Sequence, residues 1–246
     1  AEHGVDITKE PMEVAPTAHY AMGGIEVDFE TGMTCIDGLY AVGECTAGVH
    51  GANRLGGNSL VETVVFGELV GSHIAETRPS GPSLSEAQVR DVVQAQNERA
   101  GADGTHTPQT VVDELRTLMW ESAGIIRDED GLLDGLRQLQ GLKEKAADLD
   151  VRAGRTERTF EWANNLRFML TTAESILRSA LERTESRGAH FRKDYEARDP
   201  AWSKNVRCIP TGDGGMSIEV VPAQDPSESV RTALDENHEL DYHHLE

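Results

Sequence analysis

The stretch at residues 50–60 reads HGANRLGGNSL, and it sets the expected fold of the amino-terminal part of the chain. An apolar run that ends in glycine, GLYAVG at 38–43, precedes it and has the pattern of a buried parallel strand. Further upstream, the alternation of IEVDF at 25–29 predicts a half-buried strand. The apolar spacing of residues 59–76 predicts a helix. We therefore expect the glycine-rich loop at the carboxyl end of a strand, where α/β folds bind ligands.

Three features around this loop suit a ligand that is planar or negatively charged. Arg54 is a cation among small residues, and the glycines allow the backbone to approach a flat molecule. The amides of Ser59 and Leu60 are expected at a helix N-terminus, where partial positive charge attracts electron-rich oxygens. Glu44 directly follows the strand and could accept hydrogen bonds from sugar or ribitol hydroxyls. Taken alone, the pattern also fits a structural turn with a surface arginine.

Composition and apolar period divide the sequence into four parts and predict an α/β plus α fold class. The parts are an α/β segment at 1–76, a linker at 77–83, a helical-bundle domain at 84–201, and a tail at 202–246 with one strand-like piece at 216–221.

Helical periodicity dominates the second half of the chain. Ser83 and Glu86 have the spacing of a capping box at the start of one helix. Thr107 before Pro108 is suited to begin the next helix. Further apolar stripes predict three or four antiparallel helices in a bundle, the last of them at about 159–184.

The charge balance excludes some classes of partner. The 246 residues include 23 Lys and Arg against 43 Asp and Glu, a formal net charge of −20. Non-specific nucleic-acid binding and electrostatic docking on an anionic membrane both need a basic surface, so neither is expected. No apolar run reaches the ~18 residues of a spanning helix, and no signal-peptide pattern opens the sequence.

The cysteines point to a reducing compartment and to no metal site. Cys35, Cys45 and Cys208 are odd in number and lack CxxC spacing. We expect them to be buried thiols that pack as small apolar residues.

Longer strings carry a resemblance to a known family. They are AHYAMGGI at 18–25, GLYAVGEC at 38–45, HGANRLGGNSL at 50–60 and ESRGAHFRKDY at 185–195, followed by Arg198, Asp199 and Trp202. Over about residues 15–205 the sequence resembles the flavoprotein subunit of succinate dehydrogenase and fumarate reductase. L-aspartate oxidase shares this outline, but it usually has a cysteine where Met22 stands and lacks the pair Gly56 and Gly57. Both departures favour the succinate and fumarate branch.

This resemblance implies roles for individual residues. Residues 1–76 would be the C-terminal part of an FAD-binding, Rossmann-like domain, in which Glu44, Ser59 and Leu60 contact FAD. His19 and Arg54 would bind succinate or fumarate, because a guanidinium grips a carboxylate with two hydrogen bonds. The bound dicarboxylate would then exchange a hydride with the flavin.

The resemblance is less specific about four other residues. We expect His50 and Asn53 to support the loop of Arg54 rather than to contact the ligand. Arg187 and His190 are expected in salt-bridged packing of the helical domain against the flavin domain.

Several parts of the family pattern do not occur in this sequence. There is no GxGxxG dinucleotide motif, no flavin-tethering histidine and no cap domain with its proton-shuttling arginine. The catalytic acid is therefore unknown, and the chain is expected to be the C-terminal part of a longer flavoprotein that does not turn over alone. L-aspartate oxidase and a non-catalytic helical module remain alternatives.

The family also implies partners and a location. These are the missing N-terminal part, an iron–sulfur protein and membrane anchor proteins, which would hold a cytoplasmic complex on the inner face of the cell membrane.

The acidic composition predicts a response to salt. Lysine is rare, with five residues against 18 arginines, and acidic residues are spread along the chain. Such a surface is typical of adaptation to molar cytoplasmic salt, where a Debye length of ~3 Å screens the repulsion among like charges. The melting temperature of the chain should rise as KCl increases from dilute to molar. A melting temperature that stays flat or falls over a KCl series would contradict this halophilic interpretation.

Overall fold

The computed structural model describes residues 6, 8–12, 18–78, 84–152, 157–212, 214–228 and 231–232. They divide into two compact units, Ala1–Asp91 and Val92–Glu246. Most of the predicted linker, including Ser83 of the predicted capping box, lies outside the described residues, as does the end of the predicted tail.

The first unit consists of loops packed on one long helix, α1 (Asn58–Thr77). The loops cross where Ile25 donates its amide to the carbonyl of Cys45 at 2.8 Å and accepts from the amide of Ala47 at 3.0 Å. Glycine is required beside this crossing, because a Cβ on Gly24 would lie 2.3 Å from the carbonyl oxygen of Cys45. The helix predicted at 59–76 is confirmed and extends one residue further at each end.

The two strands predicted in this unit are wrong. Residues 25–29 and 38–43 take part only in isolated bridges, Ile25 with Thr46 and Met33 with Tyr40. A strand extends only where a neighbouring strand pairs with its backbone groups, and the described residues of this unit supply no such neighbour.

The apolar side chains of those segments are correspondingly exposed. Leu39 keeps 46% of its surface and Val42 keeps 37%, although both belong to the run predicted to be buried. The face of α1 that includes Leu60, Val61 and Val64 is exposed as well. The unit therefore buries little apolar surface within itself.

The second helix, α2 (Glu86–Ala100), has no buried residue. Its capping box is formed by Ser85 and Gln88: the Ser85 amide donates to Gln88 Oε1 at 2.8 Å, and the Gln88 amide donates to Ser85 Oγ at 3.3 Å.

The second unit is built on a bundle of three helices, α3 (Pro108–Ala123), α4 (Glu129–Ala147) and α5 (Glu157–Glu182). Thr107 caps α3 as predicted, accepting from the amide of Thr110 at 3.3 Å. The predicted apolar stripes form its core, which consists of Val111, Val112, Leu115, Leu118, Leu132, Leu139, Leu142, Leu166, Leu170, Ala173, Leu177 and Ala180.

The three helices meet closely at one glycine. A Cβ on Gly135 of α4 would lie 2.7 Å from the Cβ of Ser122 on α3 and 3.0 Å from Leu177 on α5. The hydrogen atom of glycine is therefore what lets the three backbones approach at this level.

The tail contains a hairpin rather than one strand. A 3₁₀ turn, Pro200–Trp202, leads into β1 (Lys204–Pro210), which pairs antiparallel with β2 (Met216–Pro222). The strand predicted at 216–221 is confirmed, but β1 was missed. Its sequence, KNVRCIP, has only two half-buried side chains, and this weak alternation is difficult to recognise in the sequence.

Leu132 tests the contribution of the bundle core. It is fully buried on α4, so Leu132→Ala should lower the free energy of unfolding by about 2–5 kcal/mol, measured by urea denaturation followed by circular dichroism. The neighbouring Leu133 is 41% exposed and provides the control, for which Leu133→Ala should cost less than about 1 kcal/mol. Equal losses for the two variants would contradict the assigned core.

Candidate functional site

Arg54 lies in the glycine-rich loop of the first unit, against the ring of Tyr20. Its guanidinium carbon is 4.8 Å from the ring centroid, within the range of a cation–π interaction. One terminal nitrogen donates to the carbonyl of Leu55 at 3.0 Å. The Nε atom is buried and has no hydrogen-bond partner among the described residues. A buried N–H of a cation without an acceptor is costly, so this atom indicates a missing acceptor.

A buried carboxylate, Glu62, binds the tyrosine that contacts Arg54. Glu62 on the second turn of α1 retains only 4% of its surface. Its Oε2 accepts from the hydroxyl of Tyr20 and lies 2.8 Å from Nε2 of His50. The Thr46 hydroxyl lies 3.5 Å from Oε1 of Glu62 and donates to the carbonyl of Gly43 at 2.8 Å. His50 thus contacts Tyr20 and Glu62, and its predicted support of the Arg54 loop stays a prediction.

The protonation states of this cluster follow from its contacts. Burial raises the pKa of Tyr20, and the hydrogen bond with charged Glu62 raises it further, to about 12. Burial also favours the protonated form of Glu62, but the hydrogen bonds from Tyr20 and His50 outweigh it and lower the pKa of the carboxyl. At neutral pH the phenol is therefore neutral and the carboxylate charged.

The other predicted ligand residues lie on the surface of the same unit. His19 and Glu44 are exposed, and Oε1 of Glu44 accepts from the amide of Ala21 at 3.0 Å. Glu44 thereby tethers the segment that carries His19. No contact of Asn53 distinguishes support of the loop from binding, so its role stays a prediction.

The start of α1 has no capping side chain and open space beside it. The N-cap is Gly57, with φ 81°, and no side chain caps the helix. The Leu60 amide was expected to point outward, but it donates to the carbonyl of Gly57 at 3.2 Å. Ser59 lies in the uncapped first turn of the helix. A Cβ on Gly56 or Gly57 would meet nothing within 4 Å. The described residues therefore leave open space next to the N-terminus of α1, the positive end of the helix dipole.

Sequence reasoning missed Tyr20 and Glu62. Their side chains join positions 42 residues apart, so no local spacing connects them. The one signal present was an acid within an otherwise apolar stretch of α1, a residue type that is rarely buried without a partner.

A second polar cluster lies in the second unit, in the segment that follows α5. Glu185 is fully buried and accepts from Arg183 at 2.7 Å, from two nitrogens of Arg187 at 2.6 and 2.9 Å, and from the Asp199 amide at 2.9 Å. Burial opposes ionisation, but these donors lower the pKa of Glu185 to about 2. The predicted ion pairing of Arg187 is confirmed, whereas its packing against a flavin domain stays a prediction.

Arg192 closes the C-terminal end of α5. It is almost fully buried, and one terminal nitrogen donates to the carbonyls of Ala180 at 2.8 Å and Leu181 at 3.2 Å. Its other nitrogens bind both oxygens of Asp194, at 2.8 and 2.7 Å, and this pairing lowers the pKa of Asp194 to about 2. The cation thus satisfies carbonyls that a helix end leaves unpaired.

His190 is held neutral in the same segment. Its Nδ1 lies 3.1 Å from a guanidinium nitrogen of Arg127, which can only donate, and its Nε2 lies 3.2 Å from the carbonyl of Arg183. Burial is the main cause of its lowered pKa, and the nearby guanidinium groups lower it further. The ion pair predicted for His190 is therefore wrong. Among the described residues, its side chain makes hydrogen bonds with Arg127 and Arg183 instead.

The remaining predictions concern metals, cysteines and membranes. Among the described residues there is no group of side chains suited to a metal ion and no helix long and apolar enough to cross a bilayer. The expectation of buried thiols is wrong for Cys35 and Cys45, which are exposed, while Cys208 is half-buried.

Comparisons with known proteins identify the class. A family model described as FAD binding domain matches residues 1–60, and one described as fumarate reductase flavoprotein C-term matches residues 112–234. The first description names FAD, and the second names a flavoprotein. The solved structure of Mycobacterium smegmatis Sdh1 in complex with UQ1 is similar, with a TM-score of 0.87 and 39% identity, over 96% of this chain and 41% of Sdh1.

Curated relatives narrow the class to a family. The fumarate reductase flavoprotein subunit of Haemophilus influenzae is 38% identical over 232 residues, covering 91% of this chain and 39% of the relative. L-aspartate oxidase of Yersinia pestis is 36% identical over 196 residues, covering 78% of this chain and 34% of the relative. The chain belongs to the succinate dehydrogenase and fumarate reductase flavoprotein family, and it spans less than half the length of these relatives.

Glu185 predicts an acid-sensitive stability. Its pKa of about 2 in the folded chain lies below the ordinary value of 4.5, so its stabilising effect is complete above pH 4.5 and is lost as the pH falls towards 2. Urea denaturation at a series of pH values should therefore show stability that declines over this range.

Glu185→Gln is the matched variant for this test. It should lose about 3 kcal/mol at neutral pH, because two arginines lose their buried counter-charge, and it should show a smaller acid-dependent loss. If the variant lost as much stability in acid as the unmodified chain does, Glu185 would not be the group responsible.

Proposed function

We propose that this chain carries the dicarboxylate-binding loop and part of the FAD site of a flavoprotein that interconverts succinate and fumarate. The observation that carries the proposal is the buried Nε of Arg54, which lacks an acceptor among the described residues and lies two residues before the open glycines that lead into α1. A substrate carboxylate would supply the missing acceptor. Family membership supports the assignment, because the relative from Haemophilus influenzae is named fumarate reductase.

Arg54 and His19 are the proposed substrate ligands. A dicarboxylate carries two negative charges, and a guanidinium can bind one carboxylate with two parallel hydrogen bonds. Stacking on Tyr20 leaves the edge of the guanidinium available for this purpose. His19 is exposed in the neighbouring segment and would donate a further hydrogen bond to the substrate.

The uncapped start of α1 and Glu44 are the proposed FAD contacts. The Ser59 and Leu60 amides lie at the positive end of the helix and would favour electron density on the flavin ring, although the Leu60 amide also donates to Gly57. Glu44 uses one oxygen for the Ala21 amide, which leaves the other to accept from a hydroxyl. When bound, FAD supplies the two-electron oxidation or reduction.

The larger assembly belongs to the same proposal. Residues 1–76 would complete an FAD-binding domain together with further chain of the kind that the longer relatives have. Electrons would pass to an iron–sulfur protein, and membrane anchor proteins would hold the complex on the inner face of the membrane. The acidic, lysine-poor composition supports a halophilic source.

Substitution of Arg54 tests the proposed substrate site in the flavoprotein that contains this chain. Arg54→Ala should lower kcat/KM for succinate by about two to four decades, because removing one partner of a buried charge pair costs about 3–5 kcal/mol. Arg54→Lys should recover little, because an ammonium cannot form the planar fork. Bound FAD should stay near normal.

Arg90 offers a control for this experiment. It is an exposed arginine on α2 that pairs with Glu86, and Arg90→Ala should leave kcat/KM unchanged. Parallel loss of FAD and activity in Arg54→Ala would make Arg54 a cofactor or folding residue. Oxygen consumption with L-aspartate, without dye reduction by succinate, would instead favour the L-aspartate oxidase alternative, and no turnover with either substrate would favour a non-catalytic module.

A further inference from the structure

We propose that Tyr20 is a positioning residue that presets Arg54 and His19 for the dicarboxylate, and that Glu62 anchors it. The inference rests on the proposed function and names a device within that same site. It follows from one arrangement in the first unit: the phenol hydroxyl of Tyr20 is fixed to a buried carboxylate, while its ring lies against the guanidinium of Arg54.

The hydroxyl fixes the ring in place. Glu62 is charged and nearly inaccessible to water, so it needs donors from the protein. Tyr20 and His50 supply them, and their rings also pack edge to face with centroids 5.2 Å apart. A hydrogen bond to a buried charge is among the stronger ones in proteins, so the phenol has little freedom to rotate away.

The ring in turn restricts Arg54. A long arginine side chain on a loop samples many rotamers, and ordering it upon binding reduces affinity. The aromatic face attracts the guanidinium at 4.8 Å without using any of its hydrogen-bond donors. This explains how Nε can remain buried without a partner among the described residues, with its N–H kept for an incoming acceptor.

Tyr20 also connects the two proposed substrate ligands. His19 precedes it directly in the chain, so fixing the Tyr20 side chain limits where the backbone of His19 can lie. On the other side, Glu44 holds the amide of Ala21 at 3.0 Å. The segment 19–21 is therefore held at two successive residues, and the backbone of His19 is fixed beside the tyrosine that contacts the guanidinium.

Two substitutions separate positioning from mere stability. Tyr20→Phe and Tyr20→Leu both remove the hydroxyl and should both lower the melting temperature, but only Tyr20→Leu removes the ring from Arg54. In the flavoprotein that contains this chain, the Kd for succinate, measured by calorimetry, should rise about threefold in Tyr20→Phe, which keeps the ring but loses its anchor on Glu62, and about tenfold in Tyr20→Leu, which loses both. Tyr40 lies in the same unit, but its ring packs near His73 instead of Arg54. Tyr40→Leu is therefore the control and should leave the Kd unchanged.

A second measurement reports the position of Arg54 without substrate. In nuclear magnetic resonance of the chain, the Arg54 Nε–H signal, assigned by its loss in Arg54→Lys, should be displaced by the ring current of Tyr20. The displacement should persist in Tyr20→Phe and vanish in Tyr20→Leu.

The outcomes distinguish this inference from the proposed function. An equal rise in Kd for the Phe and Leu variants would show a purely structural role and overturn the inference, as would an Arg54 signal that is the same in all variants. Failure of the unmodified flavoprotein to bind succinate would overturn the proposed function. The Arg54 signal is measured without substrate, so it would still test whether Tyr20 positions Arg54.

Discussion

A carboxylate removed from water must be surrounded by donors, and this requirement organises the irregular segments of both units. In the first unit, Glu62 near the start of α1 forms hydrogen bonds with Tyr20 and His50, which lie on separate loops. In the second unit, Glu185 gathers two arginines and the backbone of Asp199. Neither segment has strands or helices of its own to hold it. The hydrogen bonds to these two acids therefore help to hold segments that lack regular secondary structure.

The bundle depends on a complementary requirement at the ends of its helices. Carbonyl groups at the end of α5 have no partner within the helix, and Arg192 supplies buried donors for them. The same arginine holds Asp194, whose Oδ2 accepts from the amide of Glu129 at the beginning of α4 at 2.9 Å. One cation and one anion thus connect the end of one helix with the start of another, while apolar packing supplies the rest of the bundle.

How far the sequence predicted this structure depended on the range of the interaction. The cap at Thr107 and the apolar stripes report neighbours three or four residues away, and both were recovered. The run at 38–43 has the composition of a buried strand, but a strand also needs pairing partners, which local sequence does not show. Arg54 was selected as a candidate ligand from its motif, and that role stays a prediction. Tyr20 and Glu62 were not, because the contact that matters joins residues 42 positions apart.

The histidines described here differ in their chemical reactivity as nucleophiles. Both ring nitrogens of His190 are engaged: Nε2 donates to a carbonyl, and the one free lone pair, on Nδ1, accepts from a guanidinium, so it is not available to an electrophile. His50 lies against a charged acid in a buried cluster. Among the histidines that the structure describes, His19 is the exposed one, so an acylating reagent specific for imidazole would reach it before His50, His73, His106 and His190. Covalent labelling followed by mass spectrometry would then mark the proposed substrate ligand ahead of those other described histidines, and a dicarboxylate that protected His19 from labelling would show that it binds there.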